Sequence, residues 1–234
     1  MLKNKVLLSI IVPLFNEENT ILEILKKLSK LKETHSKIQI IVINDGSKDN
    51  SQNILDNNSS FYDDLVVNPT NQGKGNAVKK GLALAKGEYI TFQDADLEYD
   101  PIEFLKFIKL IDSFSPDLII GSRLNFADYS RSHSIFNKYG NQFITFIFNL
   151  LYNTTFSDIY SCYACFKKEL LDNEIIKTDG FEQHAEILCK VVKNGKIYYE
   201  VPINYNGRSH EEGKKIKFYH IFSVIYQILV GRIK

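Results

Sequence analysis

Short apolar runs alternate with amphipathic segments through residues 1–125. The runs are uninterrupted, which is typical of strands buried on both faces, whereas the segments between them repeat their apolar residues at helical spacing. In the first such segment Ile21, Ile24 and Leu28 share one face, and Asn16 precedes them as the predicted N-cap. The predicted strands are 6–12, 38–43, 65–67, 88–92 and 117–120, and the predicted helices are 17–31, a short one from Lys48, 74–85 and 101–111. Strands that alternate with helices predict an α/β fold, with a mostly parallel twisted sheet and helices on both faces.

The second half of the chain has a less regular pattern. A long apolar segment covers 135–153, and the other predicted elements are a strand at 162–166, a helix at 181–193 and a strand at 196–201. We expect these elements to extend the sheet at its ligand-binding edge.

Nothing in the composition marks a boundary between two domains, since there is no low-complexity linker and no internal repeat. We therefore predict a single domain over 1–212 with two halves, 1–125 and 126–212. The remaining segment, 213–234, is predicted to be a basic amphipathic C-terminal helix.

The loops after the strands are the first place to look for function, because open α/β sheets bind ligands at the carboxyl ends of their strands. The loop after the first strand, Pro13 to Glu18, contains no glycine. This argues against a nicotinamide or flavin enzyme, whose pyrophosphate needs glycines there. After the second strand comes Asp45, which is suited either to hydrogen bonds with a base or ribose or to capping a turn.

A glycine-containing loop, NQGKGNA, opens the helix predicted at 74–85. Gly73 and Gly75 allow close backbone approach, the helix N-terminus favours an anion, and Lys74 adds a positive charge. The spacing differs from that of the P-loop. The loop therefore predicts an anion-binding position of another kind.

Three carboxylates, Asp94, Asp96 and Glu98, follow the fourth predicted strand at alternate positions. Side chains at alternate positions of an extended segment lie on one side of it. Grouped carboxylates suit Mg²⁺ or Mn²⁺, and without a metal they would repel one another. The sequence predicts a divalent-metal site here, with a solvated acidic turn as the alternative.

Arginine is rare in this lysine-rich chain, which makes each Arg a candidate for a place that needs a forked cation. Arg123 follows the fifth predicted strand, Arg131 lies beyond it, and Arg208 precedes a glycine- and lysine-rich stretch. Forked cations beside a metal site are suited to a diphosphate and a second anionic group.

The overall composition is that of an ordinary globular protein, with 44% hydrophobic and 24% charged residues and a net charge of +1. A protein held on nucleic acid by phosphate contacts would be more basic, so we expect no nucleic-acid partner. Three cysteines make no disulfide framework, and a reducing compartment is expected. Cys162 and Cys165 have the spacing of a redox or zinc pair, but on an apolar strand we expect them to be packing residues.

Several segments together resemble glycosyltransferase family 2, the inverting enzymes with the GT-A fold. The matching segments are SIIVPLFNEENTI, IVINDGSKDNS, NQGKGNAVKKGL, GEYITFQDADLEYDP and GSR. The second half, including YEVPINYNGRSHEEGKK, is similar to polyprenyl-phosphate sugar transferases, the group that contains dolichyl-phosphate mannose and glucose synthases. The resemblance implies that 1–125 binds the nucleotide sugar and metal and that 126–212 binds the acceptor.

The resemblance also implies roles for individual residues. The side chains expected to line the nucleotide pocket are Pro13, Asn16, Glu17 and Asp45, with Lys74 of the Gly73 loop near the base or phosphates. Those expected to bind the metal are Asp94 and Asp96, as the family's D-x-D motif, and Glu98, which stands where some relatives have Gln. Those expected to hold the acceptor phosphate and the leaving diphosphate are Arg123, Arg131 and Arg208.

Two acceptor classes remain open at this point. A polyprenyl phosphate is already ionised at neutral pH and needs no strong base to attack the sugar. A saccharide hydroxyl would need one, and Glu186 and Asp158 are the residues we consider for it. A protein that binds a nucleotide sugar without catalysis is the third alternative. His133, His184 and His210 are expected to be solvated or packed, with phosphate contact as the alternative.

Two segments, 141–153 and 214–234, combine broad apolar faces with few or no acidic residues. The second also carries five Lys or Arg, and basic amphipathic helices lie in membrane interfaces. No stretch reaches the roughly 20 apolar residues of a membrane span, and the N-terminal run that stops at Pro13 is expected to be a strand instead of a signal peptide. We therefore expect a cytoplasmic enzyme on the inner face of the membrane, with a homo-oligomer left open.

Overall fold

The computed structural model describes residues 6–125, 128–129, 131, 135–171, 176–208 and 220–233, without the side chains of 136, 137 and 220. The strands are β1 (Leu8–Leu14), β2 (Ile38–Asn44), β3 (Asp64–Val67), β4 (Tyr89–Phe92), β5 (Leu118–Ser122), β6 (Ala164–Lys167) and β7 (Tyr198–Pro202). The helices are α1 (Ile21–Thr34), α2 (Ser51–Asn57), α3 (Lys74–Leu84), α4 (Phe104–Phe114), α5 (Ile135–Tyr152), α6 (Gln183–Asn194) and α7 (His220–Ile233).

In the described part of the chain, the strands form one seven-stranded sheet in the order β3-β2-β1-β4-β6-β5-β7. β6 is antiparallel to both its neighbours, β4 and β5, and the other pairings are parallel. The prediction of a mostly parallel sheet is confirmed. The carboxyl ends of β1, β2, β4 and β5 consequently lie along one edge, which is where the loops of the predicted site begin.

Alternate residues of the central strands pack into two separate hydrophobic clusters, one on each face of the sheet. Ile10 and Val12 face the cluster that contains α1 and α4. Ile11 and Ile41 face the cluster that contains α3, α5, α6 and α7. This alternation explains why the strands are apolar throughout, because each face has its own helical cover.

The start of α1 differs from the prediction. The helix begins at Ile21, and Asn16 is not its N-cap but a residue of the preceding loop with φ of 51°. The Asn16 N–H donates to Ser47 Oγ at 3.0 Å, and its side-chain oxygen accepts from the Lys48 N–H at 2.8 Å. Asn16 therefore joins the loops after β1 and β2.

The predicted strand at 162–166 is displaced to Ala164–Lys167, and the long apolar segment is the helix α5. Cys165 and Cys189 are buried in the hydrophobic clusters, which confirms packing for Cys165, whereas Cys162 is only partly buried. Over the ranges that the structure describes, no helix combines the length and apolar character needed to cross a bilayer.

Candidate active site

A cavity of about 500 Å³ lies at the carboxyl ends of the strands. Its walls come from the loops after β1, β2, β4 and β5, from the N-terminus of α3, and from α5, α6 and α7. The predicted residues that line it are Pro13, Glu17, Asp45, Gly73, Lys74, Asp94, Asp96, Glu98, Arg123 and Arg208. Asn16, Arg131 and Glu186 do not line it.

Asp94 and Lys74 form an ion pair in the cavity wall, with 2.5 Å between Oδ1 and Nζ. Burial acts to raise the pKa of Asp94, but the Lys74 ammonium outweighs it and holds that pKa below its usual value. Burial likewise acts to lower the pKa of Lys74. The negative charges of Asp94 and Asp96 outweigh burial, and the pKa of Lys74 is raised. Both side chains are therefore charged at neutral pH.

Asp96 has the opposite electrostatic environment. Burial and repulsion from Asp94 and Glu98 raise the pKa of Asp96 to about 7, against the attraction of Arg208. Arg208 Nη2 lies 3.0 Å from Asp96 Oδ2 and 3.0 Å from Glu17 Oε1. One guanidinium thus joins the loop after β4 to the loop after β1.

Glu98 fastens the segment that carries Arg208. Its Oε2 accepts from the Tyr205 hydroxyl at 2.7 Å, and its Oε1 accepts from the Arg208 N–H at 2.7 Å. The Asn206 N–H donates to the Glu98 carbonyl at 2.9 Å. Glu98 therefore positions the segment that carries Arg208, and its role as a metal ligand stays a prediction.

Metal binding at Asp94 and Asp96 also stays a prediction. Among the described residues no three His, Cys, Asp or Glu side chains are grouped closely enough to hold a metal ion. Asp94 and Asp96 have the hard oxygen atoms that Mg²⁺ and Mn²⁺ prefer, and both line the cavity. These two carboxylates fit a divalent cation whose other ligands come from a bound diphosphate. In this structure Lys74 and Arg208 are the cations paired with them.

Arg123 is held by a buried carboxylate instead of standing free. Its Nε and Nη2 donate to the two oxygens of Asp158 at 2.7 Å each, and Asp158 is fully buried. Its guanidinium also lies 5.2 Å from the centre of the Tyr205 ring. Asp158 was considered as a general base, and this geometry contradicts that role, because both its oxygens are engaged by Arg123.

A second carboxylate supports the first. Glu200 on β7 accepts from the Ser157 N–H at 2.8 Å and from the Asp158 N–H at 3.4 Å. Burial raises the pKa of Glu200 in spite of these hydrogen bonds. Glu200 therefore positions the peptide from which Asp158 reaches Arg123, and nothing in the local sequence signals this role.

Arg131 lies outside the cavity wall. Its N–H donates to the Tyr205 carbonyl at 3.0 Å, and its Nη1 donates to the Gly207 carbonyl at 3.0 Å. These bonds secure the same segment that Glu98 holds. In this structure Arg131 supports the placement of Arg208 instead of reaching into the cavity.

The glycine loop before α3 is shaped by contacts within the protein. The N–H groups of Gln72 and Gly73 donate to the Asp45 carboxylate at 3.0 and 2.9 Å. A Cβ at Gly73, which has φ of 94°, would lie 2.6 Å from the Asp179 carbonyl oxygen. Gly75 packs equally closely on the same residue and donates its N–H there at 2.8 Å. The close backbone approach that these two glycines allow is therefore made to Asp179 of the same chain.

Glu186 also has a structural role. It is 3% exposed, and its carboxylate accepts from the N–H groups of Lys177 and Thr178 and from the Thr178 hydroxyl at 2.8–3.1 Å. Glu186 does not line the cavity, and its carboxylate is engaged by these groups. It secures the segment on which Gly73 and Gly75 pack, and so supports Lys74 from behind.

The structure adds cavity residues that the sequence reasoning missed. The side chains concerned are Tyr99, Tyr160, Cys162, Phe181 and Tyr205. Tyr205, three residues before Arg208, had a signal in the motif around it. His184 was expected to be solvated or packed, with phosphate contact as the alternative, and it both packs against Tyr160 and lines the cavity. His133 and His210 lie outside the described residues.

Comparison with known proteins adds three findings. The family model described as Glycosyl transferase family 2 matches residues 9–174. The UDP-N-acetylglucosamine–dolichyl-phosphate N-acetylglucosaminyltransferase of Methanococcus voltae is 28% identical over 96% of this chain and 95% of its own length. The low-salt glycan biosynthesis hexosyltransferase Agl6 of Haloferax volcanii is 26% identical over 87% of this chain, which spans about half (49%) of that protein.

A solved structure supports the fold. Glucosyl-3-phosphoglycerate synthase from Mycobacterium tuberculosis, in complex with Mn²⁺, UDP and phosphoglyceric acid, has a TM-score of 0.72 over 97% of this chain and 78% of its own. The sequence identity is 17%, so this likeness concerns the fold alone.

Proposed function

This chain belongs to glycosyltransferase family 2, and from that membership we propose that it moves a sugar, with inversion, from a UDP- or GDP-sugar to a polyprenyl phosphate with a divalent metal. The observation that carries the proposal is the pairing of Asp94 with Lys74 and of Asp96 with Arg208 inside one cavity. Two carboxylates and two cations suit a metal–diphosphate, whose opposite charges can replace both ion pairs.

The donor side of the reaction follows from these charges. Asp94 and Asp96 would hold Mg²⁺ or Mn²⁺, which when bound neutralises charge on the leaving diphosphate. Lys74 and Arg208, released from the carboxylates, are placed to contact phosphate oxygens. Asp45, with Pro13 and Glu17, lines the part of the cavity that we assign to the nucleotide.

The acceptor side favours a group that is already an anion. A phosphate monoester can attack without giving up a proton to the enzyme, whereas a saccharide hydroxyl needs a base. Asp158 is buried against Arg123, and Glu186 holds backbone N–H groups. Arg123, with its guanidinium at the cavity, is the cation that we assign to the acceptor phosphate. The dolichyl phosphate in the name of the Methanococcus relative supports the same choice.

The outer surface of α5 and α7 supports a lipid acceptor. Each helix exposes a stripe of large apolar side chains, between 43% and 85% exposed. The stripes are Ile135, Tyr139, Phe143, Phe146 and Leu150 on α5, and Phe222, Tyr226, Leu229 and Ile233 on α7. The same helices contribute Ile144 and Ile221 to the cavity wall. We propose that the stripes lie in the membrane interface and bring the cavity to the lipid phosphate.

Nucleotide release from UDP- and GDP-sugars tests the reaction. We expect release that depends on Mg²⁺ or Mn²⁺ and rises when a short polyprenyl phosphate is added. Asp96→Asn should abolish it, and Asp112→Asn, which changes an exposed carboxylate on α4, should not. Donor binding with no response to the lipid, together with transfer to a saccharide, would reject the acceptor assignment.

Vesicle sedimentation tests the membrane assignment. Phe143→Ser with Phe222→Ser should reduce binding to vesicles that contain anionic lipid, because each change removes an exposed aromatic ring from a stripe. The matched control is Val67→Ser with Ile102→Ser, which also removes two exposed apolar side chains but elsewhere on the surface. Equal loss for both pairs would contradict the assignment.

A further inference from the structure

Part of the cavity wall is formed by uncharged side chains to which the proposed reaction gives no role. Tyr160, from the loop before β6, and His184, the second residue of α6, both line the cavity. Their rings meet edge to face, with 6.3 Å between centroids and an interplanar angle of 88°. Two elements distant in sequence therefore hold one imidazole in place at this wall.

The hydrogen bond of His184 determines which of its nitrogens carries the proton. Nε2 lies 3.1 Å from the carbonyl oxygen of Ile159, and a carbonyl oxygen only accepts, so Nε2 is the donor. In a neutral imidazole Nδ1 is then an acceptor. Burial and the Lys74 cation lower the pKa of His184 to about 4, so the ring is neutral under physiological conditions. Among the described residues, the side-chain hydrogen bond of His184 is made by Nε2, and Nδ1 makes none.

The charges near the ring indicate which part of the donor it meets. The groups whose fields act on His184 include Lys74, Asp94 and Arg123, the side chains that the proposed reaction assigns to the metal and phosphates. Asp45, at the nucleotide end, is not among them. Ionised phosphate oxygens only accept hydrogen bonds, so they cannot satisfy an acceptor nitrogen. In a nucleotide sugar, the group next to the diphosphate is the sugar. Its hydroxyl groups can donate a hydrogen bond to Nδ1.

We propose that His184 is a specificity-determining residue, whose Nδ1 accepts a hydrogen bond from one hydroxyl of the transferred sugar. The inference rests on the proposed function and adds to it a residue that reads the sugar itself. The Ile159 carbonyl and the Tyr160 ring fix the imidazole. Nδ1 is therefore oriented as a hydrogen-bond acceptor before the nucleotide sugar binds. A site that is built around one hydroxyl disfavours sugars that lack it or present it in the other configuration.

Binding calorimetry in the presence of Mg²⁺ tests this assignment without turnover. The probes are UDP-N-acetylglucosamine, UDP-glucose and GDP-mannose, with UDP and GDP as the sugar-free nucleotides. For the sugar nucleotide that the wild type prefers, the loss of one hydrogen bond in His184→Phe should weaken binding about tenfold. Affinity for the corresponding free nucleotide should stay unchanged. His35→Phe changes a histidine outside the cavity and is the matched control.

A series of deoxy-sugar nucleotides then identifies the hydroxyl. One deoxy analogue should bind the wild type about tenfold more weakly than the parent, and that difference should vanish in His184→Phe. His184→Asn, which keeps an acceptor, should retain part of the discrimination and replaces the Phe variant if that one does not fold.

The outcomes separate this inference from the function on which it rests. If His184→Phe weakens free UDP or GDP as much as the sugar nucleotide, His184 serves the nucleotide and the inference is wrong. The inference is also wrong if each deoxy analogue binds more weakly than the parent by the same factor in the wild type and in His184→Phe. If the wild type binds none of these nucleotides, the proposed function fails first and the inference with it.

Discussion

Asp94 and Asp96, in the first half of the chain, face the cavity, whereas three carboxylates in the second half, Asp158, Glu186 and Glu200, face the protein's own backbone and side chains. Asp94 and Asp96 line the cavity and are paired with the cations Lys74 and Arg208. Asp158, Glu186 and Glu200 are buried or half-buried and accept hydrogen bonds from Arg123 or from backbone N–H groups. Both groups are carboxylates, but the first is placed for a ligand and the second stabilises the protein's own structure.

Position relative to the strands accompanies the difference. Asp94 and Asp96 directly follow β4, so they lie where the cavity opens at the edge of the sheet. In the second half, the stretches 153–163 and 176–182 have no helix or strand, and their N–H groups need other acceptors. There the carboxylates replace the missing secondary structure. The comparison predicts that the first group affects turnover and the second affects stability.

The largest expected effect comes from Asp96→Asn. Removing one charge from the proposed metal site should lower kcat/KM by about 10²- to 10³-fold, the size seen when one electrostatic group is lost from a preorganised site. Stability should hold or rise, because the variant relieves repulsion among Asp94, Asp96 and Glu98. Steady-state nucleotide release and thermal denaturation measure the two effects. Unchanged kcat/KM would remove Asp96 from the site.

Arg208→Lys should have the next largest effect. Lysine keeps the charge but cannot hold Asp96 and Glu17 together through a fork. We expect kcat/KM to fall roughly 10- to 100-fold, the equivalent of one lost charge-assisted hydrogen bond. Arg232→Lys, on the exposed end of α7, is the control. An equal effect of the two variants would mean that the fork has no role.

Glu186→Gln should act on stability more than on turnover. The amide places N–H donors against those of Lys177 and Thr178, so the free energy of unfolding should fall by about 1–3 kcal/mol. Urea denaturation measures it, with the exposed Glu169→Gln as control. A stable variant without any turnover would instead restore Glu186 as a general base and favour a saccharide acceptor.

Glu200→Gln tests the same idea one step further from the cavity. We expect a loss of about 0.5–1.5 kcal/mol in stability, because the N–H groups of Ser157 and Asp158 lose an ionised acceptor. Arg123 should then be held less firmly, which should raise KM for the acceptor more than it lowers kcat. A fall in kcat alone would contradict a positioning role.

The smallest expected effect is a pH dependence of that stability difference. Burial raises the pKa of Glu200, so the folded protein binds this proton more tightly than the unfolded chain. The wild type should therefore gain stability relative to Glu200→Gln as the pH falls from 7 toward the ordinary pKa of Glu. Urea denaturation at several pH values measures it, and a difference that shrinks over this range would reverse the assignment.

Much of the site could be read from the sequence, but the partners of its residues could not. The acidic loop, Lys74 and Arg208 were all predicted, and all line the cavity. Glu98 and Asp158 were placed in the correct region without their partners, because the groups that occupy their oxygens come from 107 and 35 residues away. Glu200 had no local signal at all, since it acts only through Ser157 and Asp158.

The sequence by itself determined the parallel sheet, its two covered faces and the loops at its carboxyl edge. It could do so because burial determines the spacing of apolar residues within each strand and helix. That spacing is visible in the local sequence of each element. Only the tertiary structure decided that β6 runs antiparallel, that residue 179 fills the space above Gly73, and that Arg208 meets Asp96 across 112 residues. Such contacts join residues that are far apart in the sequence. They depend on how the chain between those residues folds, and no local sequence pattern predicts this.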